Sequence, residues 1–175
     1  KKVEYDAGGK MYLADYSYGT FTTAYEIGST VKGATLLTGY REGAVTIGTS
    51  QIDEPIVLGE NLVKSSIFNR SGRIRMDDLM ALEQSSNVYM FKIAMSMGGL
   101  SYYPYIGIAS LLRDDTLQRL RNGYAQVGLG VPTGIDLPGE TAGVIGVPDS
   151  PGKVLDITIG QFDTYTPLQL AQYIS

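Results

Sequence analysis

The stretch Ile27-Gly28-Ser29-Thr30-Val31-Lys32-Gly33-Ala34-Thr35 sets the terms for the whole chain. A glycine precedes a serine, and a lysine follows three residues later, where the pattern predicts the start of a helix. At that spacing the serine and lysine side chains share one helical face and come within reach of each other. Gly28 lets the backbone turn sharply into the helix and leaves Ser29 at its exposed N-terminal end. A serine there is also a favoured N-cap, so the pair alone divides evenly between a cap and a nucleophile with its base. The same spacing recurs at Ser150-Pro151-Gly152-Lys153. Pro151 and Gly152 oppose a helix, so that copy is expected to be a surface turn.

The rest of the composition narrows the chemistry. Among 175 residues there is no histidine and no cysteine. A serine hydroxyl needs an adjacent base to become a nucleophile, and the Ser-His-Asp arrangement cannot be built without histidine. Thiol catalysis and the common structural zinc sites are excluded with cysteine. Lysine remains as the general base. An unperturbed lysine is neutral only about once in a few thousand molecules at pH 7. Burial or the positive end of a helix dipole would have to lower its pKa, and Lys32 in the first turn is placed for that. The net charge of −4, with no basic cluster, argues against nucleic acid or an anionic membrane as the main partner. No apolar run reaches transmembrane length and no signal-peptide pattern is present. The length suits one compact domain.

Along the chain, residues 1–26 are rich in tyrosine and glycine without a clean period and are expected to be extended and loop-like. Val31, Ala34, Thr35 and Thr38 continue a helix from Ser29, with Gly39 and Gly43 as stop signals. From Thr46 to Arg75, short apolar runs alternate with Gly59, Asn61, Asn69 and Gly72, which predicts short strands and turns. Met76–Gln84 reads as a helix with acidic residues in its first turn. Val88–Met97, closed by Gly98-Gly99, is apolar nearly all round and is expected to be a central, buried helix. Its one charge, Lys92, is expected to carry its ammonium out to solvent, and its methionines to fill core gaps. A further helix is predicted over Ala109–Asn122 with Gly123 as its cap. A long glycine- and proline-rich loop with one short strand follows over 128–153. Thr166 and Pro167 open a last helix as N-cap and first residue.

Between the two central helices stands a second polar group, Ser85-Ser86-Asn87, the only Ser-x-Asn in the chain. One of the serines can cap the second helix, which leaves the asparagine without a reason. The functional reading sets Ser85 and Asn87 facing a cleft. The serine hydroxyl then serves proton relay, and the amide, both donor and acceptor, serves recognition of a peptide group.

A Ser-x-x-Lys helix start followed by Ser-x-Asn between two helices resembles the serine acyltransferases that react with penicillin. The words around the motifs narrow the resemblance to the class B penicillin-binding proteins. Tyr25–Thr35 is similar to their active-site segment, and Ala81–Met90 to their second motif with its flanks. Gly128-Leu129-Gly130 with Thr133–Glu140, and Ile159–Phe162 with Thr166–Ala171, are similar to later signatures. Gln161-Phe162-Asp163 most resembles the division-type transpeptidases of Gram-positive bacteria. The resemblance runs from about Tyr18 to Ser175. It departs from the family at Ile27, where proline is usual, and in having no lysine followed by Thr-Gly or Ser-Gly, the third motif.

The resemblance implies an α+β fold of the penicillin-binding and serine β-lactamase type, with residues 1–175 as a partial transpeptidase domain. They would cover mainly its helical part and lack the first sheet strand and the strands with the third motif. It implies a D,D-transpeptidase that cross-links peptidoglycan stem peptides through a serine acyl-enzyme and is acylated by β-lactams. Ser29 would be the nucleophile, Lys32 its base and Ser85 a proton relay, while Asn87 would hold the substrate amide. No metal or organic cofactor is implied. The implied partners are stem peptides, β-lactam antibiotics and membrane proteins of the division machinery, and the implied place is the extracytoplasmic face of the cell membrane. A β-lactam-binding sensor and a non-catalytic division scaffold are the other classes the motifs allow. The missing third motif would cost an oxyanion donor, so residues 1–175 alone are expected to react weakly with penicillin.

Overall fold

The computed structural model describes residues 1–59, 62–112 and 115–175. Its core is built around the helix that is apolar on every side. That helix, α4 (Asn87–Met97), buries Val88, Tyr89, Met90, Phe91, Ile93, Ala94, Met95 and Met97. Each large apolar side chain so buried contributes about 1.5–3 kcal/mol. Met90 and Met95 are fully enclosed, as gap-filling core. Around α4 pack α2 (Lys32–Arg41), α5 (Thr116–Gln126), α6 (Pro151–Ile157) and strand β3 (Gln51–Asp53). Lys92 does not run out to solvent. Its ammonium donates to Ile52 O at 2.7 Å and lies over the Tyr102 ring, and burial lowers its pKa.

Among the described residues the strands form three separate antiparallel pairs. β3 pairs with β6 (Ile74–Met76), and β4 (Ile56–Gly59) with β5 (Leu62–Lys64), within the segment predicted to be short strands and turns. The third pair lies where a loop was expected: β1 (Lys2–Tyr5) and β2 (Met11–Ala14) make a hairpin with Val3 opposite Leu13. Its turn is held by Asp6 Oδ1, which accepts from Gly8 N and Lys10 N. No alternation marks it in the sequence because Val3, Tyr5, Met11, Tyr12 and Leu13 are all exposed, so neither face carries the apolar period that burial imposes. A single turn, α1 (Gly19–Thr22), follows.

Three further expectations need correcting or refining. Ser150–Lys153 is not a surface turn but the start of α6, with Pro151 in the first turn of the helix. Proline costs nothing there, since the first amides of a helix have no intrahelical partner. Gly152 is buried and Lys153 pairs with Asp149 at 2.8 Å. Gly123 is not a cap, because α5 runs through it to Gln126. It is glycine because a Cβ there would stand 2.1 Å from Thr38 Oγ1, so α2 and α5 touch at backbone distance. The predicted 109–122 helix is a 3-10 turn at Ala109–Leu112 and then α5; residues 113–114 of that prediction, like Asn61 of the predicted turns, lie outside the described residues. The 128–150 loop carries one bridge, Val144 with Thr164.

α3 (Asp78–Glu83) is capped by Asp77 and ends at the polar joint before α4. α7 (Pro167–Ile174) starts where Thr166 and Pro167 predict, and Gln169 completes a full capping box with Thr166. Tyr173 of α7 accepts from Ala34 N at 2.9 Å, which ties the last helix to the first turn of α2. A Cβ on Gly33 would come within 2.4 Å of that hydroxyl. The fold thus holds the start of α2 from one side by α7 and from the other by the α3–α4 joint.

Candidate active site

Ser29 sits in a 3-10 turn, Gly28–Val31, that leads directly into α2. The turn is fastened to the segment after α6 by Gly28 N donating to Gly160 O at 2.9 Å. Both glycines have positive φ, +56° and +77°. A Cβ on Gly160 would fall 2.0 Å from Gly28 O, so a side chain there would drive the two segments apart. Ser29 is exposed, and the capping reading fails: the residues at the cap positions are Ile27 and Val31, neither with a side-chain cap bond. Ser29 O accepts from Lys32 N, which closes the turn.

Lys32 is the first residue of α2 and is only 2% exposed. Its Nζ donates to Ser85 O at 2.6 Å, Ser85 Oγ at 2.9 Å and Asn87 Oδ1 at 2.7 Å. Three residues from two distant stretches therefore meet at one nitrogen. Among the described residues no hydrogen bond joins Ser29 Oγ to Lys32, whose three protons are all committed to the joint. Burial lowers the Lys32 pKa from 10.5 to about 8, against the opposing pull of Asp53. Desolvation wins because an ammonium with neutral acceptors is poorly compensated for lost water. The neutral amine keeps only two protons for these three acceptors, and its lone pair is then open to accept a proton.

Ser85 adopts φ +56°, a left-handed conformation uncommon for a residue with a side chain. That turn points both its carbonyl and its hydroxyl at Lys32. Ser86 is the true cap of α4, accepting from Tyr89 N at 3.0 Å. Asn87 is oriented from both ends, with Oδ1 on Lys32 and Nδ2 donating to Ser65 O at 3.3 Å. Among the described residues its second amide proton has no hydrogen-bond partner. Behind the joint lies a group that the sequence reasoning missed: Asp53, Ser66 and Asn69, all buried and mutually hydrogen-bonded. No local pattern announces them, since the partners stand 13 and 16 residues apart along the chain. Among the described residues no three acidic side chains stand together as a metal site. Among them, too, no helix is long and apolar enough to cross a membrane.

Comparison with known proteins gives this geometry a family. The whole chain, residues 1–175, matches the family described as the penicillin-binding protein transpeptidase domain. It is 50% identical over 164 residues to penicillin-binding protein H of Bacillus subtilis, covering 93% of this chain and 22% of that protein. The chain belongs to the class B penicillin-binding proteins, within their transpeptidase domain. Penicillin-binding protein 2A of B. subtilis is 44% identical over 167 residues, covering 95% of this chain and 23% of that protein. The solved structure of penicillin-binding protein 2B from Streptococcus pneumoniae strain R6 superposes with a TM-score of 0.88 at 34% identity, over 98% of this chain and 28% of that one. The domain is of the mixed α+β type the family motifs imply, mostly helical with short strands. The chain spans less than a quarter of the length of these two B. subtilis relatives.

Proposed function

We propose that the protein carrying this domain is a peptidoglycan D,D-transpeptidase that works through a serine acyl-enzyme and is acylated by β-lactams. The observation that carries the reading is the single buried nitrogen of Lys32. It is shared by Ser85 and Asn87 and lies three residues from an exposed serine that caps no helix.

In this mechanism Ser29 Oγ attacks the carbonyl of a D-Ala-D-Ala stem, or of a β-lactam ring, and its proton passes to neutral Lys32. The tetrahedral oxygen is stabilised by backbone N–H groups, that of Ser29 among them. The C–N bond then breaks, and the departing nitrogen takes its proton from the Ser85 hydroxyl, which Lys32 reprotonates. Asn87 holds the substrate amide through its free Nδ2 proton. The amine of a second stem attacks the acyl-enzyme with the proton path reversed, releasing Ser29 and leaving the cross-link. A histidine-free site needs the lowered Lys32 pKa for this, since the base must be neutral to begin. Residues 1–175 form part of the transpeptidase domain. The protein acts at the outer face of the cell membrane beside division proteins.

Fluorescent-penicillin labelling of the intact protein tests the reading. The expected result is a labelled band that Ser29→Ala abolishes without loss of folding, and stem-peptide cross-linking that disappears with it. Labelling of the Ser29→Ala protein at the original rate would refute it. Residues 1–175 alone should label far more slowly than the intact protein.

A further inference from the structure

A buried carboxylate that the mechanism above does not use lies behind the joint between α3 and α4. Asp53, at the end of β3, is 1% exposed, and Ser66, Asn69 and Ser86 are buried with it. Ser66 Oγ donates to Asp53 Oδ2 at 2.6 Å, Ser86 Oγ donates to the same oxygen, and Asn69 Nδ2 donates to Oδ1 at 2.9 Å. The direction of the two hydroxyl bonds is dictated by the backbone. Ser66 Oγ accepts from Asn87 N at 3.0 Å and Val88 N at 3.2 Å, and Ser86 Oγ accepts from Tyr89 N at 3.0 Å. Amides only donate, so each hydroxyl has one proton to give, and it goes to the carboxylate. Asp53 is the acceptor on which donors from the 66–69 loop and from the α3–α4 joint converge.

The amides that Ser66 receives are the first of α4, groups with no intrahelical acceptor. Ser66 and Ser86 together therefore satisfy the amides of residues 87, 88 and 89, and Asp53 aims both hydroxyls. We propose that Asp53 is a positioning residue for acyl transfer: through Ser66 and Ser86 its carboxylate fixes the turn that presents Ser85 and Asn87 to Lys32. The inference rests on the acyl-transfer reading of the site and extends it to a residue that no substrate touches.

Asp53 also acts on Lys32 through space, its negative charge favouring the ammonium. The other charges on elements packed against α2 are committed elsewhere. Lys92 of α4 donates to Ile52 O, and Asp78 of α3 accepts from Tyr40 and Gly48 N. Asp77 caps α3, Arg119 of α5 pairs with Glu42 and Asp115, and Arg121 pairs with Asp163. Glu83 is exposed. Removing the Asp53 charge therefore makes Lys32 easier to deprotonate while loosening the turn that uses it.

Two variants of the intact protein separate these effects. Asp53→Asn keeps the shape but leaves one acceptor oxygen where two are used, so its amide N–H must face either the serine hydroxyls or Asn69 Nδ2. It should lower the penicillin acylation rate constant about a hundredfold, the cost of a misplacement on the order of 1 Å. Its acid limb in the pH–rate profile should move to lower pH. Ser66→Ala leaves the charge in place and should lower the rate without moving the limb. Asp53→Asn acylating at the original rate with an unmoved limb would overturn the proposal. Should Asp53→Asn fail to fold, original rates in both Ser66→Ala and Ser86→Ala would overturn it equally. The titration of Lys32, followed by NMR of isotope-labelled lysine, gives a readout independent of activity. If the wild type is never acylated, the transpeptidase reading fails, and an unchanged Lys32 titration in Asp53→Asn then removes the Asp53 proposal as well.

Discussion

Raising the pH from about 6 to 9.5 should accelerate penicillin acylation of the intact protein about tenfold per unit until it levels off near 8. In the proposed mechanism Lys32 must be free to accept a proton. Its side chain is 2% exposed, and burial brings its pKa down from 10.5 to about 8. At pH 7 roughly one molecule in ten then holds a neutral amine, against about one in three thousand at the unperturbed value. The gain of some 300-fold corresponds to about 3 kcal/mol of activation free energy. The same burial has a cost in folding. The folded pKa lies below the unfolded one, so the native state binds fewer protons between pH 8 and 10.5, and this group's contribution to stability rises with pH across that window. Below pH 8 the penalty of about 3 kcal/mol stands in full. Stopped-flow acylation over the pH series, with Lys32→Arg as the companion variant, tests the reasoning. A guanidinium stays protonated throughout, so the variant should lose about 10²–10⁴ in rate at every pH. A flat profile between pH 6 and 9, or a Lys32→Arg protein keeping more than a tenth of the rate, would refute it.

Other consequences follow from close contacts and from the turn at Ser85. Ser85→Gly keeps the carbonyl that Lys32 uses and relieves the left-handed φ of +56°, so thermal stability should hold or rise while acylation falls about 10²-fold or more; an unchanged rate would remove the hydroxyl from the proton path. Gly160→Ala places a Cβ 2.0 Å from Gly28 O at a φ of +77° and should cost more than about 1 kcal/mol, with slower acylation as the Ser29 turn shifts. Gly134→Ala, at φ +81° with open space around it, is the control, showing backbone strain without effect on the rate. Gly123→Ala would gain about 1 kcal/mol from helix propensity in isolation, yet contact with Thr38 should make it a net loss of about 1–3 kcal/mol in denaturant unfolding. A stabilised Gly123→Ala protein would show that α2 and α5 are less closely packed than the structure has them.

The chain's own order of residues determined the elements whose signals are local. The period of Val88–Met97, apolar on every face, required a central helix, and Thr166-Pro167 required a helix start there. The spacing of Ser29 to Lys32, and the lone Ser-x-Asn, marked the candidate site because a chain without histidine has few ways to activate a serine. Signals of that kind fail where the deciding contact is remote. Pro151-Gly152 looks like a helix breaker until the helix is seen to begin at that proline, and Gly123 looks like a stop until Thr38 is found against it. The hairpin at 2–14 left no period because its large apolar side chains, on both faces, are exposed among the described residues. Only the tertiary structure decided that Lys32 gives its protons to Ser85 and Asn87, 53 and 55 residues away, and that Asp53 stands behind them. Burial and hydrogen-bond direction belong to segments brought together by folding. A residue's type states what it can donate or accept, and its neighbours in space decide which it does.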